Sequence, residues 1–221
     1  MSLPLSGPTV SPRSGNPPKR VVVFVHGLGA DGDDLIGLAP YFADVLPDAE
    51  FLSPHAPYPC DMAPFGRQWF SLRDFSGEAI AAGLDAVRPV FDSYLDALLA
   101  SRGLTDADLA LVGFSQGTML SLHTALRRQA PVASAVGFSG LLAAPDRLLT
   151  DLTVRPPVLL VHGEEDPVVN FGFMDLAARA LDALGVPVQT LARPGLGHSI
   201  DDEGLARSIG FVAGGFNQKQ V

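Results

Sequence analysis

Leu109-Ala110-Leu111-Val112-Gly113-Phe114-Ser115-Gln116-Gly117 is the stretch that decides how this chain folds. Four apolar residues run into a G-x-S-x-G pentapeptide, and a helical pattern opens near Gln116. A short apolar run with a glycine at its end reads as a buried strand. The pentapeptide then predicts a sharp strand-to-helix turn that projects the serine hydroxyl above a sheet. Glycines flank the serine because such a turn draws the backbones of strand and helix closer than a Cβ allows.

Working outward, residues 20–26, 132–138 and 157–162 repeat the apolar pattern of residues 109–114. Each is short and β-branched or leucine-rich, as in strands buried on both faces of a parallel sheet. Residues 50–53 and 186–191 are weaker strand candidates. Helical patterns lie between them at 33–43, 83–102, 116–129, 171–184 and 202–212. Residues 83–102 carry Leu84, Val87, Phe91, Tyr94, Leu95, Leu98 and Leu99 as one stripe, and Pro89 is expected near the first turns, where proline is tolerated. Gly185 is a plausible C-cap for the fourth helix.

This alternation predicts βαβ units around a mainly parallel central sheet flanked by helices, with no large cap domain. Residues 1–18 read as an extended arm rich in Pro, Ser and Gly, and residues 19–221 as a single α/β domain. Sheets of this class place their sites beyond the carboxyl ends of the strands. His26-Gly27, Ser115, Ser139-Gly140 and residues 162–166 all fall at such ends.

Composition narrows the function. A chain of 221 residues with 47% hydrophobic content is long enough to bury a substantial core. A net charge of -9 argues against nucleic-acid partners and against electrostatic docking on anionic lipid. No segment approaches the ~18 apolar residues that a membrane span needs. The first 18 residues lack an apolar stretch of signal-peptide length, and the single cysteine, Cys60, rules out an internal disulfide framework. The expectation is a cytoplasmic protein with no stable membrane insertion. No Cys/His pattern suggests zinc, and Asp31, Asp33 and Asp34 lack calcium-loop spacing, so helix N-capping is the better reading of that cluster. No metal and no cofactor is expected.

Ser115 needs a base, since a serine hydroxyl is a weak nucleophile until a neighbour takes its proton. Of five histidines, His26 and His162 end strands and precede glycine, which suggests buried structural roles. His123 lies two turns along the helix after the elbow, and His55 sits in a proline-rich loop. His198 lies in Pro194-Gly195-Leu196-Gly197-His198-Ser199, a glycine loop able to deliver an imidazole to the sheet rim, and it is the expected base. Among Glu164, Glu165 and Asp166, Asp166 is favoured as the orienting carboxylate because Pro167 pins the turn behind it. The chain order Ser115, Asp166, His198 is that of α/β-hydrolases. An oxyanion needs two preorganised N–H donors. The expected pair is the backbone amide of Gln116 and that of Leu28, in the glycine loop after the first strand.

With these residues in place, the chain resembles the phospholipase/carboxylesterase family of α/β-hydrolases, which includes acyl-protein thioesterases. The likeness runs through His26-Gly27-Leu28-Gly29-Ala30-Asp31-Gly32, Gln68-Trp69-Phe70 and Gly113-Phe114-Ser115-Gln116-Gly117. It continues through His162-Gly163-Glu164-Glu165-Asp166-Pro167-Val168-Val169 and Gly197-His198-Ser199. The resemblance implies a serine esterase without metal or organic cofactor, a triad of Ser115, Asp166 and His198, and oxyanion amides at Leu28 and Gln116. It also makes a homodimer a candidate assembly. Two positions depart from the family pattern: Ser71 stands where an acidic residue often follows the Trp-Phe pair, and Thr118 where a second glycine often follows the elbow.

Substrate-pocket candidates come from the long irregular region before the second long helix. Long loops of this kind are often lids or binding walls. Trp69, the only tryptophan, is the first candidate, with Phe65, Met62, Leu72 and the strand-end Phe138 behind it. Arg67 is read as a solvated surface arginine and Cys60 as a bystander thiol. The expected activity is hydrolysis of small to medium acyl esters through an acyl-enzyme. The first alternative is an acyl-protein thioesterase or lysophospholipase with a long-chain groove formed by residues 58–75. The second is a non-catalytic binding module, against which stands an intact set of reactive residues.

Overall fold

A computed structural model describes residues 5–217. In chain order the first half holds β1 (Thr9–Val10), β2 (Arg20–Val25), α1 (Gly32–Leu35), α2 (Ala39–Ala43), β3 (Ala49–Leu52), β4 (Tyr58–Pro59), β5 (Arg67–Gln68) and α3 (Gly77–Arg102). The second half holds β6 (Leu109–Phe114), α4 (Gln116–Ala125), β7 (Ser134–Phe138), α5 (Leu148–Asp151), β8 (Val158–Gly163), α6 (Gly172–Ala183), β9 (Val188–Arg193) and α7 (Asp202–Asn217). Seven strands form one sheet in the order β1-β3-β2-β6-β7-β8-β9, while β4 and β5 pair separately. Every neighbour pair in the large sheet is parallel except β1 with β3. This is the α/β-hydrolase architecture, with no large cap among the described residues.

The sheet is buried on both faces, and the period-2 alternation of its strands sorts the core in two. Val21, Val23, Val25, Leu109, Leu111, Val158 and Leu160 face one cluster with α3, α4 and α6. Val22, Phe24, Ala110, Val112, Leu159 and Val161 face the other, with α1, α2 and α7. From β2 the chain crosses to β3 on one side, and from β6 it proceeds through β7, β8 and β9 on the other. The order therefore reverses between β2 and β6. A crevice opens beyond the carboxyl ends of two such strands, where their loops diverge. His26-Gly27-Leu28 leaves β2 and Ser115 leaves β6 at that crevice.

Several elements differ from the sequence expectation. The single helix expected at 33–43 is two short helices joined by a 3₁₀ turn at Ile36–Leu38, because Pro40 lacks the N–H that a continuous helix would use. Its start fits the capping reading, with Asp31 accepting from the Asp33 N–H at 2.9 Å. The long helix starts at Gly77, six residues earlier than expected, where Ser76 caps it by accepting from the Ala79 N–H. Pro89 consequently lies in the helix interior. The expected arm is in part a sheet element: Thr9 and Val10 pair with Leu52 and Phe51. Residues 1–4 of that arm lie outside the described residues.

Candidate active site

Ser115 has φ 53° and ψ -115°, a conformation that costs a non-glycine residue about 1–3 kcal/mol and persists only where its surroundings enforce it. They do so here through backbone bonds. The Ser115 N–H donates to the Phe138 carbonyl at 2.9 Å, and the Ser115 carbonyl accepts from Thr118 at 3.0 Å. A Cβ on Gly117 would lie 1.8 Å from the Val25 carbonyl oxygen, so only glycine permits the helix to start this close to β2. The result is a half-buried hydroxyl at the rim, on a turn fixed from both sides.

Asp166 and His198 meet at the same rim. His198 Nδ1 lies 2.8 Å from Asp166 Oδ2, and with Nδ1–H as the donor the ring's other nitrogen, Nε2, is left outside that bond. The imidazole lies against the Phe114 ring, with centroids 4.8 Å apart. Phe114 immediately precedes Ser115, so this contact holds the ring beside the elbow. The Asp166 side chain is fully buried, and its other oxygen accepts from Val168 and Val169 N–H groups at 2.8 and 2.9 Å. Burial pushes the carboxyl pKa up, but the hydrogen bonds from His198, Val169 and Val168 outweigh it and hold the value below the usual carboxylate range. The carboxylate therefore stays charged beside an imidazole. Gly163 lets the two loops meet, because a Cβ there would lie 2.2 Å from the Leu196 carbonyl oxygen. Glu164 and Glu165, the alternative acids, are exposed.

Across the crevice, the backbone N–H groups of Leu28 and Gln116 donate no hydrogen bond among the described residues. Nearby, Gly29 N–H donates to Arg67 at 2.9 Å, and Thr118 N–H donates to Ser115. Unpaired amides thus flank the point where the sheet order reverses.

The remaining histidines are structural. His26 is buried, donates from Nδ1 to the Gly27 carbonyl at 2.8 Å and accepts at Nε2 from Ala56 N–H at 3.0 Å. Burial lowers its pKa to about 4. His162 is buried as well, and its Nε2 lies 2.9 Å from the Val169 carbonyl and 3.2 Å from Asp166 Oδ2. That second contact makes it a neighbour of the carboxylate, which its strand-end position alone did not reveal. His55 accepts from Gly32 N–H at 3.0 Å.

The pocket candidates divide. Trp69 is a core residue, fully buried against Phe91 and His26 at ring-centroid distances of 5.5 and 5.3 Å. Leu72 is buried in the same cluster. Phe138 points to the opposite face of the sheet, in the cluster with α7. All three are packed in the core, and for Trp69 and Leu72 an irregular loop has no periodicity to announce which side chains turn inward. Phe65 and Met62 are exposed near the tip of that loop. Arg67 is half-buried, not solvated, with Nε donating to the Ala56 carbonyl and Nη2 to that of Pro57.

Comparison with known proteins fits this geometry. A phospholipase/carboxylesterase family model matches residues 9–214. The chain belongs to the phospholipase/carboxylesterase family. It is 29% identical over 190 residues to esterase YpfH of Escherichia coli (strain K12), covering 86% of this chain and 80% of that protein. It is 28% identical over 208 residues to acyl-protein thioesterase 1 of Gibberella zeae, covering 86% and 88% of the two chains. The crystal structure of esterase PE8 superimposes with a TM-score of 0.91 at 40% identity, covering 95% of this chain and 98% of that one. The family member described here is thus a hydrolase, of a family that holds esterases and acyl-protein thioesterases. No helix among its described residues is long and apolar enough to cross a membrane.

Proposed function

We propose that this family member is a serine carboxylic ester hydrolase working through Ser115, His198 and Asp166, with small to medium acyl esters as substrates. The observation that carries the reading is the 2.8 Å bond from His198 to a buried, ionised Asp166, on an imidazole packed against the residue preceding Ser115. His198 Nε2 takes the Ser115 hydroxyl proton as Oγ bonds to the carbonyl carbon. The carbonyl π pair moves to oxygen, and the N–H groups of Leu28 and Gln116 bind that oxyanion. Collapse breaks the bond to the leaving group, which receives the proton from His198, and leaves an acyl-serine. Water then repeats the sequence, giving its proton to His198 and releasing the acid. Asp166 fixes the His198 tautomer and stabilises the imidazolium formed in each half.

Support for small to medium chains comes from the loop that would have to form a long groove. Trp69, Phe70 and Leu72 are committed to the core, and the large apolar side chains that stay exposed along residues 58–75, Tyr58, Met62, Phe65 and Phe75, are scattered singly. Thioester cleavage by the same residues follows the same steps, and the match to an acyl-protein thioesterase favours keeping it as the second reading. The test is hydrolysis of p-nitrophenyl esters from acetate to palmitate by wild type and Ser115→Ala. A short-chain optimum abolished in the variant is the expected result. A palmitate optimum moves the assignment to the second reading, and unchanged activity in Ser115→Ala removes Ser115 as nucleophile.

A further inference from the structure

The side chain of Gln116 does something that its place in the elbow does not require. It is fully buried and spans two backbone groups of a distant loop. Its Oε1 accepts from the Trp69 N–H at 2.9 Å and its Nε2 donates to the Phe70 carbonyl at 2.8 Å. The amide thus plays the part of a neighbouring strand for residues 69–70. Trp69 in turn donates from Nε1 to the His26 carbonyl at 2.9 Å. His26 leads directly into Gly27-Leu28.

The same loop grips the far side of Leu28. Gly29 N–H donates to the Arg67 carbonyl at 2.9 Å, and Arg67 N–H donates to the Ala30 carbonyl at 2.8 Å, a two-bond antiparallel exchange. Gly66 makes this approach possible, with φ +77° and a would-be Cβ only 1.9 Å from the Gly29 carbonyl oxygen. The backbone around Leu28 is therefore fixed at residues 26, 29 and 30 by residues 67 and 69. Residue 69 is fixed by the side chain of Gln116.

We propose that the Gln116 side chain and Trp69 form a brace that sets the spacing and aim of the Leu28 and Gln116 N–H groups, making both side chains positioning residues for the oxyanion site. This rests on the esterase reading above. Neither side chain touches the substrate. Their effect is geometric: the two donors belong to chain segments almost ninety residues apart, and Trp69 links the two through hydrogen bonds at both of its nitrogens. Donors aimed at a developing charge contribute only if they need not reorganise as it forms. A brace with no slack holds them so.

The test uses Trp69→Phe, which keeps an aromatic ring in the core and removes the N–H to His26, and Gln116→Met, which keeps bulk and removes both amide bonds. Three quantities are read at a temperature where thermal melting shows each variant folded. These are kcat and KM for p-nitrophenyl butyrate, Ki for an alkyl trifluoromethyl ketone that forms an oxyanion adduct, and Ki for butyrate. A misaimed donor costs less than a deleted one, so kcat should fall on the order of 10- to 100-fold in each variant, with KM shifted less than about threefold. The ketone Ki should rise in step with the loss of kcat, and the butyrate Ki should not move. If Gln116→Met does not fold, Trp69→Phe carries the test. Full activity in Trp69→Phe overturns the brace, as does a loss of kcat that leaves the ketone Ki unchanged. Wild type that neither cleaves the ester nor binds the ketone overturns the esterase reading, and the brace with it.

Discussion

Asp166 and His198 meet through a charge-assisted side-chain hydrogen bond, whereas Leu28 and the amides around it are held by neutral bonds to backbone groups and to two buried side chains. In the proposed site the two halves adjoin Ser115, with His198 packed on Phe114 before it and Gln116 after it. On the proposed acid–base side the residues carry their own electrostatics, and the loops need only bring them together. On the other side the proposed donors are anonymous backbone N–H groups, and all their specificity lies in what holds them. Chemistry done by side chains writes itself into residue identity, while chemistry done by backbone is written into the residues that pin it.

The largest effects test the acid–base half. Ser115→Ala should lower kcat by about 10⁶-fold, leaving only what binding and the oxyanion donors supply. Asp166→Asn should cost about 10⁴-fold, because an amide donating to Nδ1 forces the proton onto Nε2 and removes the base. Single-turnover kinetics with a p-nitrophenyl ester would read both. A loss below about tenfold in Asp166→Asn would mean that the imidazole is oriented by other contacts, and His162, 3.2 Å from the same carboxylate oxygen, would be the first residue to examine. Losses of this size on one side, against the 10- to 100-fold expected from the brace, are what the contrast between the halves demands.

How far the sequence carried depended on the same contrast. The strands β2, β6, β7 and β8 were legible because a strand buried on both faces must be an apolar run. Ser115, Asp166 and His198 stand out in the sequence because few residue types can do the proposed chemistry, and the structure joins Asp166 to His198 and packs His198 on the residue before Ser115. Trp69, the first pocket candidate in the sequence, is a buried core residue. Its burial is set by contacts with residues 26, 91 and 116, none of which is near it in sequence. The two-residue strands β1, β4 and β5 carry no periodicity to read. Pro89, expected near the first turns of a helix starting at residue 83, lies instead in the interior of α3, a 26-residue helix whose apolar face is packed on the core. Thr118, which stands where the family often has glycine, is accommodated with its hydroxyl 2.9 and 2.8 Å from the Gly113 and Phe138 carbonyls, which share its one proton. That accommodation needs residues from two strands and is invisible in a local motif.

Acid should separate the halves by a different measure. The pKa of His26 falls from 6.5 to about 4 because burial disfavours its charged form, so the native state refuses a proton that the unfolded chain accepts. Stability is therefore full above the unfolded pKa and is lost as pH falls from 6.5 toward 4. The loss amounts to about 3 kcal/mol from this group. Burial lowers the pKa of His123 to about 4 as well, so it adds a loss of the same sign in the same window. Asp166 has a depressed carboxyl pKa, so its contribution is retained until pH falls below the ordinary carboxylate value of 3.8. Urea denaturation should show the midpoint falling between about pH 6.5 and 4.5, a window in which Asp166 stays ionised. His26→Gln, compared with wild type over that range, should flatten the pH dependence by roughly the His26 share. An unchanged slope in the variant would place the acid sensitivity elsewhere.

The smallest effect concerns the exposed tip of the loop. Phe65 is 73% exposed beside Gly66, whose backbone packs closely on the Gly29 carbonyl and leads into Arg67, clamped to Gly29 and Ala30. Removing an exposed side chain leaves no cavity, so Phe65→Ala should change stability by less than about 0.5 kcal/mol. It should also leave kcat/KM for the acetate ester within about twofold, since a two-carbon acyl group has nothing to lay on the loop tip. A longer chain that reaches the tip gains about 0.8 kcal/mol for each methylene it removes from water, so losing one or two such contacts lowers kcat/KM for the octanoate ester by roughly four- to fifteenfold. Equal losses on both esters would mean that Phe65 acts through the clamp at Gly66 and not through the substrate, which would extend the brace to the loop tip. No loss on either would confine acyl recognition to the crevice itself, where β2 and β6 part.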